Sequence, residues 1–196
     1  MKRKHFLSSF IPLAATFGAV ASGKTSFDGD SPVVKPPYLK AGDTVGICCP
    51  AGFITIEDIQ PALLKLKEWG FTARIGETIG KNDFTFGGTD DERLNDLQQM
   101  LDDKSIKAIL FARGGYGGVR IIDRLNFKKF DRDPKWIIGF SDATVFHSHI
   151  NEKYRMATIH SKMCNSFPSD WNTAEPVQKE TIESINKCLT GERMKY

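Results

Sequence analysis

Short apolar runs alternate with amphipathic stretches along most of the chain. Thr44-Val45-Gly46-Ile47-Cys48-Cys49 is a continuous apolar run ending at Pro50-Ala51-Gly52, which predicts a buried strand and a loop. In the next segment Ile59, Leu63 and Leu66 share one helical face, Ala62 and Trp69 flank it, and Gly70 marks the stop. Pro61 falls early enough to be tolerated in the first turn. Phe71 to Ile75 predicts a second strand. The polar stretch from Gly76 to Gly88 is too long and irregular for a simple connection, and loops of that kind often carry function. Thr89-Asp90-Asp91-Glu92 has the form of a capping box and predicts a helix with Leu94, Leu97 and Leu101 inward.

The alternation continues. Ala108 to Ala112 predicts a buried strand, followed by Arg113-Gly114-Gly115-Tyr116-Gly117-Gly118 and a short helix around Ile121, Ile122 and Leu125. Trp136 to Phe140 predicts another strand, and Ser141 starts a helix running to about Asn151. Ala157-Thr158-Ile159 predicts a last strand, and Pro176 to Leu189 a helix with Val177, Ile182, Ile185 and Leu189 apolar. Strand followed by helix throughout predicts an α/β fold: an open parallel sheet, flavodoxin- or Rossmann-like, with helices on both faces.

Composition adds limits. The chain has 196 residues, 40% hydrophobic and 26% charged, which excludes collagen-like, low-complexity and wholly disordered chains and predicts one domain. Lys2-Arg3-Lys4-His5, then the apolar run Phe6 to Ala15, then Ala19-Val20-Ala21 form the three parts of a secretory signal over residues 1–21. Export to the periplasm or another extracytoplasmic site is therefore expected, with residues 22–37 as a linker and 38–190 as the domain. Pro12 and the shortness of the run argue against a membrane anchor, and no Cys follows the small residues, so no membrane attachment is expected of the mature form. The formal charge of +3 rests on Lys2, Arg3 and Lys4; without them the balance is neutral. A neutral domain lacks the basic footprint that nucleic acid requires.

The cysteines are Cys48, Cys49, Cys164 and Cys188. Export permits disulfides, but Cys48 and Cys49 are neighbours in a strand, point to opposite faces and read as small hydrophobes. No Cys-x-x-Cys pair or Cys/His spacing suggests zinc, so neither a metal nor another cofactor is expected.

Two segments follow buried strands, at the carboxyl edge where open α/β sheets hold ligands. In Arg113-Gly114-Gly115-Tyr116-Gly117-Gly118 the glycines allow positive φ and close approach of backbone to a ligand. They make either a plain tight turn or a wall of amides beside a site. The dinucleotide fingerprint fails, because its third glycine would fall at Arg120. Gly139-Phe140-Ser141-Asp142-Ala143 resembles a nucleophile elbow with Ala in the last position. Ser141 is thus either a nucleophile, with the next amide aimed at an oxyanion, or the cap of its helix. A nucleophilic serine needs a base. His147 and His149 lie on the helix after Ser141, turned from its start, Asp142 is too close in sequence to orient a distant His, and His160 is the one in-chain candidate.

The segments together resemble the LD-carboxypeptidase family, the muramoyltetrapeptide carboxypeptidases with the microcin self-immunity peptidases as relatives. Those carrying the resemblance are Leu39-Lys40-Ala41-Gly42-Asp43-Thr44-Val45 with Cys49-Pro50-Ala51-Gly52, Gly88 to Leu94, Arg113 to Gly117, Pro134-Lys135-Trp136, Ile138 to Thr144 and Ile159-His160. The resemblance implies a serine carboxypeptidase that removes a terminal D-amino acid, typically D-Ala, from the peptidoglycan tetrapeptide. It implies Ser141 as nucleophile, the amides of Asp142 and Gly115 as oxyanion hole, and Arg113 and Tyr116 bordering the peptide. It also implies a second domain carrying a Glu and a His, and a homodimer as the assembly to test for the full-length enzyme. Nothing in the 55 residues after Ser141 resembles that second domain, so a poorly active or inactive half is expected. A non-catalytic muropeptide-binding domain is the alternative.

Overall fold

The computed structural model describes residues 32–193; the expected signal segment 1–21 and residues 22–31 of the expected linker lie outside the described residues. Five parallel strands form one sheet: β1 (Thr44–Cys48), β2 (Thr72–Ile75), β3 (Ile106–Phe111), β4 (Trp136–Gly139) and β5 (Ile159–His160). Their spatial order is β2-β1-β3-β4-β5, the flavodoxin-type order, so the chain reverses its direction of winding between β1 and β3. At such a switch point the loops leaving adjacent strands diverge and leave a crevice.

Side chains alternate across the sheet and feed two cores. Val45, Ile47, Cys49, Ala108, Leu110 and Ile138 pack on one face against Ala62 and Leu66 of α1 (Gln60–Glu68) and Ile182, Ile185 and Leu189 of α6 (Pro176–Thr190). Cys48, Ile109, Phe111 and Ile137 pack on the other against α2 (Asp90–Asp102), the short α3 (Gly118–Ile121), α4 (Lys128–Arg132) and α5 (Thr144–Tyr154), through Leu97, Met100, Ile121, Phe130, Phe146 and Ile150. Helices cover both faces, as the pattern predicts. Cys48 and Cys49 serve opposite cores as free, buried thiols, and burial pushes Cys49 up to about 12, so it stays protonated.

Local signals explain most boundaries. The Thr89–Glu92 capping box forms in full at the start of α2. Gly70 follows α1 with φ +82°, left-handed backbone that any other residue would strain. At the far end of α2, fully buried Lys135 donates from Nζ to the carbonyls of Asp103 (2.7 Å) and Met100 (3.2 Å), satisfying helix-end acceptors from another element. The chain departs from the sequence expectation in several places. The last strand lies at Ile159–His160 rather than over Ala157 to Ile159. Val177 is 71% exposed, because α6 buries only the face carrying Ile182, Ile185 and Leu189. The five-residue α4 carries too little periodicity to announce itself. The end of the expected linker is anchored: Val34 pairs with Met156, and the Trp136 indole donates to the carbonyl of Pro37 at 2.9 Å.

The end of β4 is held from two sides. The Gly139 carbonyl accepts from the Ser161 amide (3.0 Å) and from His147 Nε2 (2.9 Å). Because that oxygen can only accept, the His147 proton sits on Nε2, and the buried Nδ1 is left bare with no partner among the described residues.

Two predictions follow from these buried polar groups. Lys135→Ala strands two helix-end carbonyls and should cost about 2–3 kcal/mol, read as a lowered urea midpoint. Burial, reinforced by neighbouring His160, depresses the His147 pKa below its ordinary 6.5, so the unfolded chain takes up this proton first as pH falls. Its stabilisation is complete above that value and is lost progressively on acidification, in the window below it. His147→Gln, which keeps an N–H for the Gly139 carbonyl, should flatten the melting-temperature slope over that window.

Candidate active site

Three loops meet at the carboxyl edge: Pro50–Gly52 after β1, Arg113–Gly117 after β3, and the turn Phe140–Ala143 after β4. They approach closely because glycine stands where they touch. The Gly52 amide donates to the Gly114 carbonyl at 2.9 Å, and a Cβ on Gly52 would lie only 2.6 Å from that oxygen. Gly115 and Gly117 have φ of +110° and +144°, conformations that L side chains rarely adopt.

The turn after β4 is sharp. Phe140 is still extended, and Ser141 then takes φ +59°, a left-handed conformation that costs an L-residue roughly 1–2 kcal/mol. The reversal brings β4 back against its own helix: a Cβ on Gly139 would lie 2.8 Å from the Cβ of Ala143. Small residues two before and two after the serine are therefore a steric requirement of the turn. Ser141 is exposed, and among the described residues the N-caps of the turn and of the helix beyond it are Phe140 and Ala143, so Ser141 does not take the cap position. Gly114 lies directly beside it; a Cβ there would stand 3.2 Å from Ser141 Cβ and 3.4 Å from Oγ. The amides of Gly115 and Asp142 find no acceptor among the described residues.

Behind these loops sits Arg93 of α2, fully buried. Its guanidinium donates to the carbonyls of Pro50 (2.6 Å), Gly88 (3.2 Å) and Gly117 (3.1 Å), pairs with Asp90, and lies 4.9 Å from the centre of the Phe86 ring. One side chain thus gathers the loops after β1, before α2 and after β3. Buried Asp96 fixes the stretch after β2 in a similar way. It accepts from the amides of Glu77 and Thr78 and from the Thr78 hydroxyl, whose oxygen in turn accepts from the Cys49 amide at 2.8 Å.

The remaining sequence candidates are dispersed around this edge. Arg113 is exposed, donates to the Phe53 carbonyl at 2.9 Å, and borders an open polar cleft of about 410 Å³ with Glu57, Asp58 and Asn165. Tyr116 is 58% exposed, its ring 6.3 Å from that of Phe86. Of the histidines, His147 turns back to the end of β4, and His149 packs between Phe127 and Tyr154. His160 is exposed at the end of β5, in register with Gly139 and 5.8 Å from the His147 ring. Among the described residues no group of three or more His, Cys, Asp or Glu could hold a metal ion. Sequence reasoning missed Gly114 as the neighbour of Ser141, Arg93 as the organiser of the loops, and the side chain of Asp142. Arg93 had a signal, since it stands in the run Gly88 to Leu94 that carries the family resemblance.

Comparison with known proteins agrees with this geometry. Residues 45–161 match the family described as LD-carboxypeptidase N-terminal domain. A probable murein peptide carboxypeptidase of Bacillus subtilis is 36% identical over 132 residues, 67% of this chain and 41% of the relative. A murein tetrapeptide carboxypeptidase of Pseudomonas aeruginosa is 26% identical over 151 residues, 75% of this chain and 49% of the relative. Among solved structures, MccF in complex with glutamyl sulfamoyl guanosine superposes with a TM-score of 0.72 at 26% identity, covering 84% of this chain and 48% of that one. The chain spans less than half the length of each of these relatives. The open parallel sheet, the loops at its switch point and the match over residues 45–161 together place this chain in the LD-carboxypeptidase family, as its N-terminal domain.

Proposed function

We propose that this chain carries the nucleophile half of a serine LD-carboxypeptidase that removes a terminal D-amino acid, D-Ala, from peptidoglycan tetrapeptides. The observation that carries the proposal is Ser141: exposed, outside the cap positions of the helix beyond it, and held at φ +59° between a strand end and a helix start. Backbone strain of that kind persists where the surroundings impose it, and it is concentrated at functional sites. In the proposed reaction Ser141 Oγ attacks the carbonyl before the terminal D-residue. The amides of Asp142 and Gly115 stabilise the developing oxyanion, aided by the start of the helix beyond the turn. Arg113 and Tyr116 border the peptide, with the polar cleft beside Arg113 offering room for it. The basic and apolar start of the chain supports export to the side of the membrane where peptidoglycan lies.

Hydroxyl attack needs a base, and the three histidines on the described elements are poorly suited. His147 and His149 are engaged elsewhere, and His160 has no bond to Ser141. This favours a division of labour in which Glu and His come from outside the described residues. The same observation supports a second reading, a muropeptide-binding domain without turnover.

A version that includes the second domain should release D-Ala from a tetrapeptide, and Ser141→Ala should abolish release; full activity of that variant would remove Ser141 from the reaction. In the 196-residue chain, a fluorophosphonate probe should label Ser141 slowly, and addition of the second domain should accelerate labelling by about 10⁴-fold. Fast stoichiometric labelling of the short chain would place the base within it, with His160 the first residue to replace. Tetrapeptide binding with no release in either form would favour the binding domain.

A further inference from the structure

The peptide group between Gly117 and Gly118 is gripped at both ends by opposite charges. Its carbonyl accepts from the buried Arg93 guanidinium at 3.1 Å, and its N–H donates to Asp142 Oδ2 at 2.7 Å. Hydrogen bonds to ionised groups are stronger and better directed than neutral ones. The two charges also attract each other, with the peptide between them. Neither partner is local: Arg93 lies 24 residues before Gly117, and Asp142 lies 24 after Gly118.

Asp142 is covalently adjacent to Ser141, so its carboxylate ties the serine turn to the glycine-rich loop. The other end of that loop is tied as well, because the Gly114 carbonyl accepts from the Gly52 amide and Gly114 abuts Ser141. Gly115 and Tyr116 therefore span two fixed points. Glycines are otherwise the most mobile residues of a chain, and a span such as this sets an amide accurately only when its ends are held. The space is tight. A Cβ on Gly118 would stand 2.8 Å from Asp142 Oδ2, and one on Gly117 would stand 2.7 Å from Arg93 Nη1.

We infer that the Asp142 carboxylate is a positioning residue: with Arg93 it clamps the Gly117–Gly118 peptide and so sets the Gly115 amide relative to Ser141. This assigns to the Asp142 side chain a task separate from that of its backbone amide. The catalytic consequence rests on the nucleophile reading above; the positional consequence does not.

The test separates the two. In ¹⁵N-resolved spectra of the 196-residue chain, Asp142→Ala should shift the Gly115 and Gly118 amides and speed hydrogen exchange at Gly118, whose N–H loses its acceptor, by about 10-fold or more. Asp142→Asn, which keeps an acceptor oxygen, should recover part of both effects. Arg93→Met should move the same two amides from the opposite end of the peptide. Labelling of Ser141 by a fluorophosphonate, followed by intact mass well below the melting temperature, should slow by about 10- to 100-fold in Asp142→Ala, the scale of loss for a misplaced catalytic contact. Here too Asp142→Asn should recover part of the loss. A merely structural aspartate would lower the melting temperature and leave the folded protein's Gly115 shift and labelling rate unchanged, and that pattern overturns the inference. If Ser141 stays unlabelled even with the second domain added, the nucleophile reading fails, while the Gly115 amide still decides the clamp.

Discussion

A guanidinium buried without partners would destabilise this fold by several kcal/mol, roughly the cost of breaking a buried ion pair. Arg93 avoids that cost by drawing three backbone carbonyls and one carboxylate to itself, from Pro50, Gly88, Gly117 and Asp90. The loops that supply those carbonyls leave different strands and would otherwise diverge at the switch point between β1 and β3. Their convergence on one cation makes the carboxyl edge a compact surface. The glycines follow from it, since Gly52, Gly114 and Gly117 each stand where a Cβ would meet a neighbouring backbone or side-chain atom.

The strained serine belongs to the same economy of space. With Gly139 and Ala143 nearly touching, the chain must reverse within the residues between them, and Ser141 takes the left-handed conformation at the apex. The hydroxyl is thereby lifted clear of its own helix and set beside Gly114. Two hydrogen bonds into the Gly139 carbonyl, from Ser161 and His147, keep the strand end from following the turn outward. A rigid strand end, a forced apex and a glycine wall are what a nucleophile and its oxyanion donors require. The chain that carries them spans less than half the length of the relatives it matches.

Much of this was legible in the sequence because the signals are local. Apolar runs marked the strands, the Thr89–Glu92 pair marked the start of α2, and Cys48 and Cys49 divide between the two cores as strand alternation demands. The elbow pattern located Ser141, although whether the hydroxyl capped its helix depended on a φ angle that sequence does not carry. What escaped notice depends on contacts between residues far apart in the chain. Arg93 and Lys135 stood in the sequence only as members of the runs Gly88 to Leu94 and Pro134 to Trp136, and Asp142 only as a backbone amide beside Ser141. Each proved to satisfy backbone groups two dozen or more residues away. Val177 and α4 failed for a different reason: one apolar residue or one short turn adds too little periodicity to decide burial.

If the proposed function holds, Ser141 and the glycine-rich loop form one preorganised acyl-transfer surface. A crystal structure of the phosphonate adduct is the sharpest test. It should show a bond from Ser141 Oγ to phosphorus, with the phosphoryl oxygen within hydrogen-bond reach of both the Gly115 and Asp142 amides. An adduct on another residue, or a phosphoryl oxygen turned to solvent away from those amides, would contradict it.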